Sequence, residues 1–317
     1  MDGTGQPVRL LGVNRSGTQY MCTEGPNVFD GPTDDHAVAA MVAWRITAVR
    51  ISLNEQCWLG INGLPVAYPA AVYRRAITDY VDRLIRAGLY VVLDLHWNAA
   101  GTAQARSQQP MADRDHAGAF WTSVAATFKD RTAVLFDLYN EPYPDHDSDS
   151  EAAWQCVREG GVCPGVDFVA AGMQELVDAV RSTGAQNPLL VSGPQHAGTL
   201  TEWLAHRPHD PLQQVAATIH IYGPPPDASP CWTATCWVDM LEPLARDVPV
   251  VIGEMGNTDC TPTVVAPLMT WADRAGVSYL AWSWVTSSCA VEPALISGYE
   301  GTPTPYGVGV RDHLRSR

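Results

Sequence analysis

The segment YVVLDLHW, residues 90–97, carries the pattern that decides the fold. Its first four residues are large and apolar or β-branched, as in a strand buried on both faces, and its second half places Asp94 and His96 on one face. Apolar runs that end in polar or aromatic side chains recur along the chain. Together with 90–97 they predict strands at 8–14, 47–53, 134–141, 188–193, 215–222, 248–255 and 279–285. The sequence therefore predicts eight buried strands.

Segments with helical periodicity lie between most of these runs. They cover residues 70–88, 113–129, 168–183 and 262–274. Apolar strands that alternate with helices indicate a parallel sheet covered by helices, and eight such units of about 40 residues fill the chain. We predict an α/β fold, a closed (β/α)8 TIM barrel, as a single domain over residues 1–317 with long βα loops at 143–165 and 223–236. An open, doubly wound sheet is the alternative, but the G-x-G-x-x-G turn expected after its first strand is missing.

Composition and charge narrow the choice of partners. Of the 317 residues, 46% are hydrophobic and 17% charged, enough apolar surface to bury a large core. Acidic residues outnumber basic ones by 34 to 20, and the resulting formal charge of −14 would repel a phosphate backbone or an anionic membrane surface. The sequence holds no apolar run long enough to span a bilayer. We therefore expect neither nucleic acid nor membrane as a partner.

Eight cysteines lie in the chain, several as close pairs in turn-rich sequence, and none has zinc-ligand spacing. Four disulfides in a secreted protein are the preferred interpretation, with free buried thiols as the alternative. The predicted pairs are Cys156–Cys163 and Cys231–Cys236, then Cys22–Cys57 and Cys260–Cys289 out of about 105 possible connectivities. The start, MDGTGQPVRLLG, lacks the basic and apolar regions of a signal peptide, so secretion implies a leader removed before this sequence begins.

Polar and aromatic side chains stand at the predicted carboxyl ends of strands, where the mouth of a barrel lies. They are Arg50, Asp94, His96, Asn140, Glu141, His220, Tyr222, Glu254, Trp282 and Trp284. Glu141 and Glu254 end strands four and seven, so we expect them to face each other across the mouth. Facing carboxylates are the groups that glycoside hydrolysis uses, and this chemistry needs no metal or organic cofactor. The alternative is two separate ion pairs, with Arg50 as the partner of one glutamate.

Several segments together resemble glycoside hydrolase family 5, the cellulase-containing family of retaining (β/α)8 hydrolases. They are GVN at 12–14, LDLHW at 93–97, FDLYNEP at 136–142, IHIY at 219–222, VIGEMG at 251–256 and AWSW at 281–284, in family order. The resemblance implies that Glu141 is the general acid/base and Glu254 the nucleophile. It implies that Asn140 bonds the sugar 2-hydroxyl and that Arg50 pairs with the nucleophile. The remaining substrate-binding residues that it implies are His96, His220, Tyr222 and Trp282.

The expected function is hydrolysis of a β-linked polysaccharide or oligosaccharide by a monomeric, secreted endo-β-1,4-glucanase that acts through a covalent glycosyl-enzyme. A β-mannanase and an exo-acting glycosidase stay open, because resemblance to a family defines mechanism better than sugar. A catalytically inactive carbohydrate-binding barrel is the alternative from another class. The presence of both Glu141 and Glu254 argues against it.

Two further expectations concern the rim of the barrel. Tryptophans in the predicted rim loops are candidates to stack on sugar rings, since aromatic faces suit pyranose rings. These tryptophans are Trp58, Trp97, Trp154, Trp232 and Trp237. Arg15 follows GVN where many relatives have an aromatic residue, which predicts a basic group near the non-reducing side of the cleft.

The histidines outside the motifs, His196 among them, are expected to be solvated or hydrogen-bonded without a catalytic role.

Overall fold

Eight parallel strands close into a barrel in the computed structural model, which describes residues 7–64, 69–224, 228–257, 259–289 and 291–317. The strands β1 to β8 are Leu11–Arg15, Ala48–Asn54, Tyr90–Trp97, Val134–Asp137, Leu189–Ser192, Val215–Gly223, Val250–Asn257 and Ser278–Ala281. Each strand pairs in parallel with the next, and β8 pairs with β1 to close the barrel. All eight predicted strands are confirmed. β4 and β8 end four residues earlier than predicted, at Asp137 and Ala281.

Helices follow the strands and cover the barrel, so the predicted (β/α)8 fold is confirmed. The helices α1 to α8 are Asp35–Ala43, Ala70–Arg86, Ala117–Phe128, Met173–Ser182, Trp203–His206, Glu242–Asp247, Val265–Ala275 and Pro305–Arg315. Further helical segments lie in the loops: Met21–Glu24, Glu55–Leu59, Pro144–Asp147, Glu151–Glu159, Pro194–Ala197, Ala234–Cys236 and the π-helix Trp237–Leu241. Within the described part of the chain, no helix has both the length and the apolarity needed to cross a bilayer.

The predicted helix at 168–183 begins late, at Met173. Its first residues, Val169–Ala171, instead pair antiparallel with Gly160–Val162. The pairing forms a hairpin beside the Cys156–Cys163 bridge, and backbone hydrogen bonds across it replace those of a helical turn. A second small hairpin joins Ile296–Gly298 to Thr302–Pro303.

The inside of the barrel changes from apolar to polar along its axis. Its amino-terminal end is filled by a layer of small and branched side chains: Leu10, Ala48, Val92, Leu190, Ala216, Val251 and Leu280. Side chains two residues further along a strand point the same way, so this layer is followed by Arg50 on β2 and Asp94 on β3. The apolar layer thus forms a dry floor beneath a charged layer at the carboxyl-terminal mouth.

All eight cysteines form disulfides, in the four predicted pairs. Their Cα–Cα distances run from 5.3 to 6.3 Å, inside the usual range for a disulfide. Two bridges join neighbouring segments after different strands, Cys22–Cys57 after β1 and β2 and Cys260–Cys289 after β7 and β8. The other two close short turns within the loops after β4 and β6. Every bridge therefore braces the carboxyl-terminal side of the barrel.

Thiol titration tests the disulfides directly. Protein unfolded in denaturant without reductant should react with less than one equivalent of a thiol reagent, because all cysteines are bridged. After reduction the same protein should expose all eight thiols. Eight reactive thiols before reduction would overturn the assignment.

Candidate active site

Arg50 lies at the centre of the mouth, fully buried. Its guanidinium nitrogens lie close to oxygen atoms of Glu254 (2.6 Å), Asn140 (2.8 Å), Asp137 (2.9 Å), Asn14 (3.1 Å) and Asp94 (3.1 Å). These partners come from β1, β3, β4, β7 and the residues after β4. A single planar cation on β2 thus contacts side chains from four of the other seven barrel strands.

The charges around Arg50 do not balance, since three carboxylates share one cation. Burial raises the pKa of Asp94 to about 7 and that of Asp137 to about 6, although the Arg50 charge opposes both shifts. Burial also disfavours the charge on Arg50, but the surrounding carboxylates raise its pKa above the usual value. Near neutral pH Asp94 is therefore partly protonated and Asp137 mostly ionised, so Arg50 is shared among Asp94, Asp137 and Glu254.

Glu254 has a hydrogen-bond donor on each carboxylate oxygen. Arg50 donates to Oε1 at 2.6 Å, and the Tyr222 hydroxyl donates to Oε2 at 2.6 Å. Burial, with the charges of Glu254 and Glu141, raises the pKa of the Tyr222 hydroxyl well above its usual value, so it keeps its proton. Each carboxylate oxygen of Glu254 thus accepts one short hydrogen bond, and the donor from Arg50 is charged.

Two glycines around Glu254 leave space for its neighbours. A β-carbon at Gly253 would lie 2.6 Å from Thr218 Oγ1 and 3.1 Å from His220 Nε2, and one at Gly256 would lie 2.7 Å from the Tyr222 ring. Gly253 is also the extra residue of a β-bulge, because Ile219 pairs with Ile252 and His220 with Glu254. The bulge turns Glu254 into the mouth beside His220, which explains the sequence GEMG.

Glu141 stands just after β4, with a backbone φ of +47° that non-glycine residues seldom adopt. Its side chain is 23% exposed, and Oε1 lies 2.9 Å from Nδ1 of His220. Burial raises the pKa of the Glu141 carboxyl above its usual range, and the nearby side chains of His196, His96 and Arg50 limit the rise. The two glutamates therefore differ in environment: Glu254 accepts short hydrogen bonds from Arg50 and Tyr222, whereas burial raises the pKa of the Glu141 carboxyl.

His220 lies between the two glutamates. Its Nδ1 is 2.9 Å from Glu141 and 3.7 Å from Glu254, and carboxylate oxygens of the two glutamates come within 4.8 Å of each other. Burial lowers the pKa of His220 to about 4, so the ring is neutral at pH 7. Oxygens this close fit the roughly 5–5.5 Å between the carboxyl groups of retaining glycosidases better than the roughly 6.5–9.5 Å of inverting ones.

His96 and Trp282 form one wall of the mouth. Their rings stack with centroids 5.6 Å apart and planes tilted by 13°. His96 Nδ1 contacts Asp94 Oδ2 at 2.6 Å, while Trp282 Nε1 donates to Glu292 Oε2 at 2.9 Å. Burial lowers the pKa of His96 to about 4. The structure thus gathers all eight residues predicted from the sequence, the two glutamates and the six substrate-binding candidates, around one mouth.

Three residues at the mouth were not predicted as site residues. Asn14, in the GVN segment, accepts from Arg50, and Glu292 accepts from the Trp282 indole. Gln108 accepts a hydrogen bond from Asn140 Nδ2 at 2.8 Å. Asn14 is the last residue of the predicted strand 8–14 and the last but one of β1, so its position near a strand end could have identified it. Gln108 and Glu292 lie in irregular loops, where no periodicity indicates which way a side chain points.

The expectation for the rim tryptophans is wrong for three of the five. Trp58, Trp154 and Trp237 are buried, and their indole nitrogens donate within the protein, to Ser123 Oγ, Asp149 Oδ1 and the Cys231 carbonyl respectively. They pack inside the loops, because burying a large apolar ring removes more apolar surface from water than a position on the rim would. Trp97 and Trp232 are partly exposed and stay candidates for sugar contact.

The predicted basic group beside the cleft is also wrong. Arg15 is fully buried, pairs with Asp30, and lies over the Tyr299 ring at 5.0 Å. Its charge is therefore neutralised inside the protein and does not reach the cleft.

Two groups of the described residues place possible metal-ligand atoms within 4.8 Å of one another. They are Glu141, His220 and Glu254, and Asp113, Asp115 and His116. In the second group Gly101 donates to Asp115 and its carbonyl contacts His116 Nε2. Hydrogen bonds within the protein thus account for both groups, and the expected metal-free, cofactor-free reaction stays a prediction.

A buried carboxyl group lies behind the site, at Glu55 on the segment after β2. Ala99 N–H lies 3.5 Å from its Oε2, and Asp113 is its acidic neighbour. Burial and the Asp113 charge raise the pKa of Glu55 well above its usual value. Since the folded protein keeps a proton here that the unfolded chain releases above about pH 4.3, stability falls as pH rises from that value toward the folded pKa.

Glu55→Gln should therefore raise the melting temperature at pH 8 by about 2 °C or more and leave it nearly unchanged at pH 4.5. Glutamine keeps a donor toward Asp113 and does not titrate. Calorimetry at both pH values measures the effect, with the exposed Glu24→Gln as the matched control. Equal pH dependence in the wild type and Glu55→Gln would contradict the prediction.

The fold and the site together define a class of enzyme. A (β/α)8 barrel whose fourth and seventh strands bring two glutamates to one mouth has the framework of the retaining glycoside hydrolases. The chain belongs to glycosyl hydrolase family 5, since the cellulase model of that family matches residues 1–288.

Known relatives agree with this membership. An endoglucanase of Microbulbifer sp. strain ALW1, MaCel5A, is 24% identical over 332 residues, covering 98% of this chain and 55% of the relative. The chain spans about half the length, or less, of the curated relatives it matches. Among solved structures, XacCel5A in complex with cellopentaose superposes with a TM-score of 0.70 at 17% identity, covering 96% of this chain and 99% of that one. A β-mannanase from Streptomyces thermolilacinus superposes at 0.71 with 20% identity, covering 100% and 94%.

Proposed function

We propose that the protein is a retaining endo-β-1,4-glucanase. The observation that carries the proposal is the pair Glu141 and Glu254, whose oxygens approach within 4.8 Å. Burial raises the pKa of the Glu141 carboxyl, whereas Arg50 and Tyr222 donate to the two oxygens of Glu254. Membership of family 5 and the endoglucanase relatives support a β-glucan as substrate.

In the first step Glu254 attacks the anomeric carbon and forms a glycosyl-enzyme ester, while the glycosidic bond breaks. Arg50 and Tyr222 donate to the two carboxylate oxygens and orient them before the attack. Glu141 gives its proton to the departing oxygen, so the leaving sugar departs as an alcohol. Burial raises the pKa of the Glu141 carboxyl, which favours the protonated form that this step requires.

In the second step water breaks the ester. Glu141, now a carboxylate, takes a proton from the water, which attacks the anomeric carbon and releases Glu254. Neutral His220 contacts Glu141 throughout and can accept a hydrogen bond from the acid or donate one to the carboxylate, depending on its tautomer. Two inversions at one carbon give net retention.

The remaining predicted residues are proposed to bind the glycosyl unit. Asn140 is held by Arg50 at 2.8 Å through Oδ1, which leaves its amide nitrogen for donation. Trp282 and His96 offer stacked rings to the face of a sugar. Hydroxyl groups and flat apolar faces of a β-glucan match this mixture of donors and aromatic rings.

A hydrolysis panel tests the proposal: β-1,4-glucan, β-mannan, xyloglucan and aryl β-glycosides, with product length and anomeric configuration followed by NMR. We expect fastest cleavage of β-1,4-glucan, a rapid early fall in chain length, and β-anomeric products. Preference for mannan, or release of one sugar unit without a fall in chain length, would instead establish the β-mannanase or the exo-acting enzyme. Initial α-anomers or no hydrolysis of any substrate would refute the proposal.

We also infer an extracellular, monomeric enzyme. Four disulfides support the location, because such bridges persist in oxidising compartments. Light scattering of the purified protein measures the oligomeric state and should give the 34.3 kDa of a single chain.

A further inference from the structure

Gln108 lies in the loop between β3 and α3 and packs along the residues that carry Glu141. Its Nε2 lies 2.6 Å from the Asn140 carbonyl and 3.3 Å from the Glu141 carbonyl, and its Oε1 accepts from Asn140 Nδ2 at 2.8 Å. The hydroxyl of Tyr143 donates to the Gln108 carbonyl at 3.3 Å. One side chain thus contacts both the main chain and the side chain of the segment at the mouth.

The contact with Asn140 determines which way its amide faces. Arg50 donates to the amide oxygen Oδ1 on one side, and Gln108 Oε1 accepts from the amide nitrogen Nδ2 on the other. A side-chain amide has two N–H groups, and Gln108 takes one of them. The second N–H is left in a defined direction for a ligand.

The contact with the carbonyl groups supports an unusual backbone. Glu141 has φ of +47°, a conformation that costs a non-glycine residue about 1–3 kcal/mol and that the surroundings must maintain. Gln108 Nε2 donates to the carbonyl oxygens of the two peptide bonds that flank Glu141, those of Asn140 and of Glu141 itself. It thereby holds the turn that aims the Glu141 carboxyl.

We propose that Gln108 is a positioning residue for glycoside cleavage: through the Asn140 amide and the turn at Glu141, it sets the direction of one N–H toward the sugar and of one carboxyl toward the leaving oxygen. The inference rests on the proposed function. Gln108 is not a catalytic residue, because it acts through these two neighbours.

The first test compares Gln108→Met with a matched variant of its neighbour, Gln109→Met. The Gln109 side chain bonds only to Ser107 among the described residues, so its loss leaves the site unchanged. On an aryl β-cellobioside, Gln108→Met should lower kcat/KM by about 10- to 100-fold, mostly through kcat, with Gln109→Met near wild type. On the analogue that lacks the 2-hydroxyl beside the cleaved bond, the loss from Gln108→Met should be several-fold smaller, because the Asn140 contact is absent there.

The second test is Gln108→Glu, which stays informative even if Gln108→Met does not fold. A protonated glutamate imitates glutamine: its O–H donates to the Asn140 carbonyl and its C=O accepts from Nδ2. An ionised one cannot donate and repels the carbonyl oxygens. The titratable groups around this position are Glu141 and the hydroxyls of Tyr139 and Tyr143, and burial raises the pKa of all three. Gln108→Glu should therefore have near-native activity at low pH and lose it at a lower pH than the wild type.

Native kcat/KM in Gln108→Met, an equal loss on both substrates, or an unshifted pH profile in Gln108→Glu would each overturn the inference. These results leave the proposed function standing as long as the wild type cleaves glucan with retention. Failure of the wild type in the hydrolysis panel would refute the proposed function itself, so the two failures are distinguishable.

Discussion

Glu254→Gly is expected to lower hydrolysis of β-glucan by roughly 10⁴- to 10⁶-fold, the range seen when a covalent nucleophile is removed. Without the carboxylate no glycosyl-enzyme can form, and Glu141 alone cannot replace it. The fold should survive, because Arg50 keeps the ion pairs with Asp94 and Asp137. Initial rates on polysaccharide, with the melting temperature as a check on folding, measure the effect.

Added azide provides the specific signature of this variant. Glycine opens the space that the carboxylate occupied, so azide attacks the anomeric carbon from that side. With an activated aryl β-cellobioside, the expected product is a glycosyl azide of inverted, α configuration, identified by NMR. Glu254→Gln is the matched control, since it removes the nucleophile without making room and should not be rescued. Near-native activity in Glu254→Gly without azide would disprove the nucleophile assignment.

Glu141→Ala is expected to have a leaving-group-dependent effect. Acid catalysis contributes about 10²- to 10⁴-fold where the departing oxygen needs a proton, as in polysaccharide, and little where it departs as a stable phenolate. Cleavage of glucan should therefore fall by that factor, whereas formation of the glycosyl-enzyme from a dinitrophenyl glycoside should remain close to wild type. Release of the first phenolate, followed by stopped flow, separates the two steps.

Two further observations complete the test of Glu141. The alkaline limb of the pH profile should disappear in Glu141→Ala, because the group whose pKa burial raises is gone. Azide should now attack the glycosyl-enzyme from the side that Glu141 occupied and give the β-glycosyl azide, the opposite anomer from the Glu254→Gly product. If the rate fell by the same factor on activated and unactivated substrates, that result would contradict the acid/base role.

The sequence predicted the barrel because strands buried on both faces leave a strong local pattern. The apolar run at 90–97 and the helical spacing at 70–88 are local features of the sequence that do not depend on the loops. The strand and the helix that they predict both lie where expected. The delayed start of the helix at Met173 shows the limit of that pattern. Val169–Ala171 has no local feature that favours a strand over a helix, and only its pairing with Gly160–Val162 decides the matter.

The loops were the least predictable part, because burial there depends on distant neighbours. Trp58 packs near Phe120 and Phe128 from another loop-and-helix unit, and Arg15 is enclosed by Asp30 and Tyr299. A tryptophan or an arginine in a loop gives no local sign of such partners.

The sequence by itself determined eight strands and the polar residues at or just after their carboxyl ends, because strand side chains alternate and parallel strands all end on the same side. That rule by itself places Arg50, Glu141, His220 and Glu254 at one mouth of the barrel. Only the tertiary structure decided how their charges are shared: one guanidinium among three carboxylates, and a bulge at Gly253 that turns Glu254 toward His220. It also decided that Gln108 supports Asn140 and Glu141. These features depend on distances and burial between segments far apart in the chain, and no local pattern of residues records them.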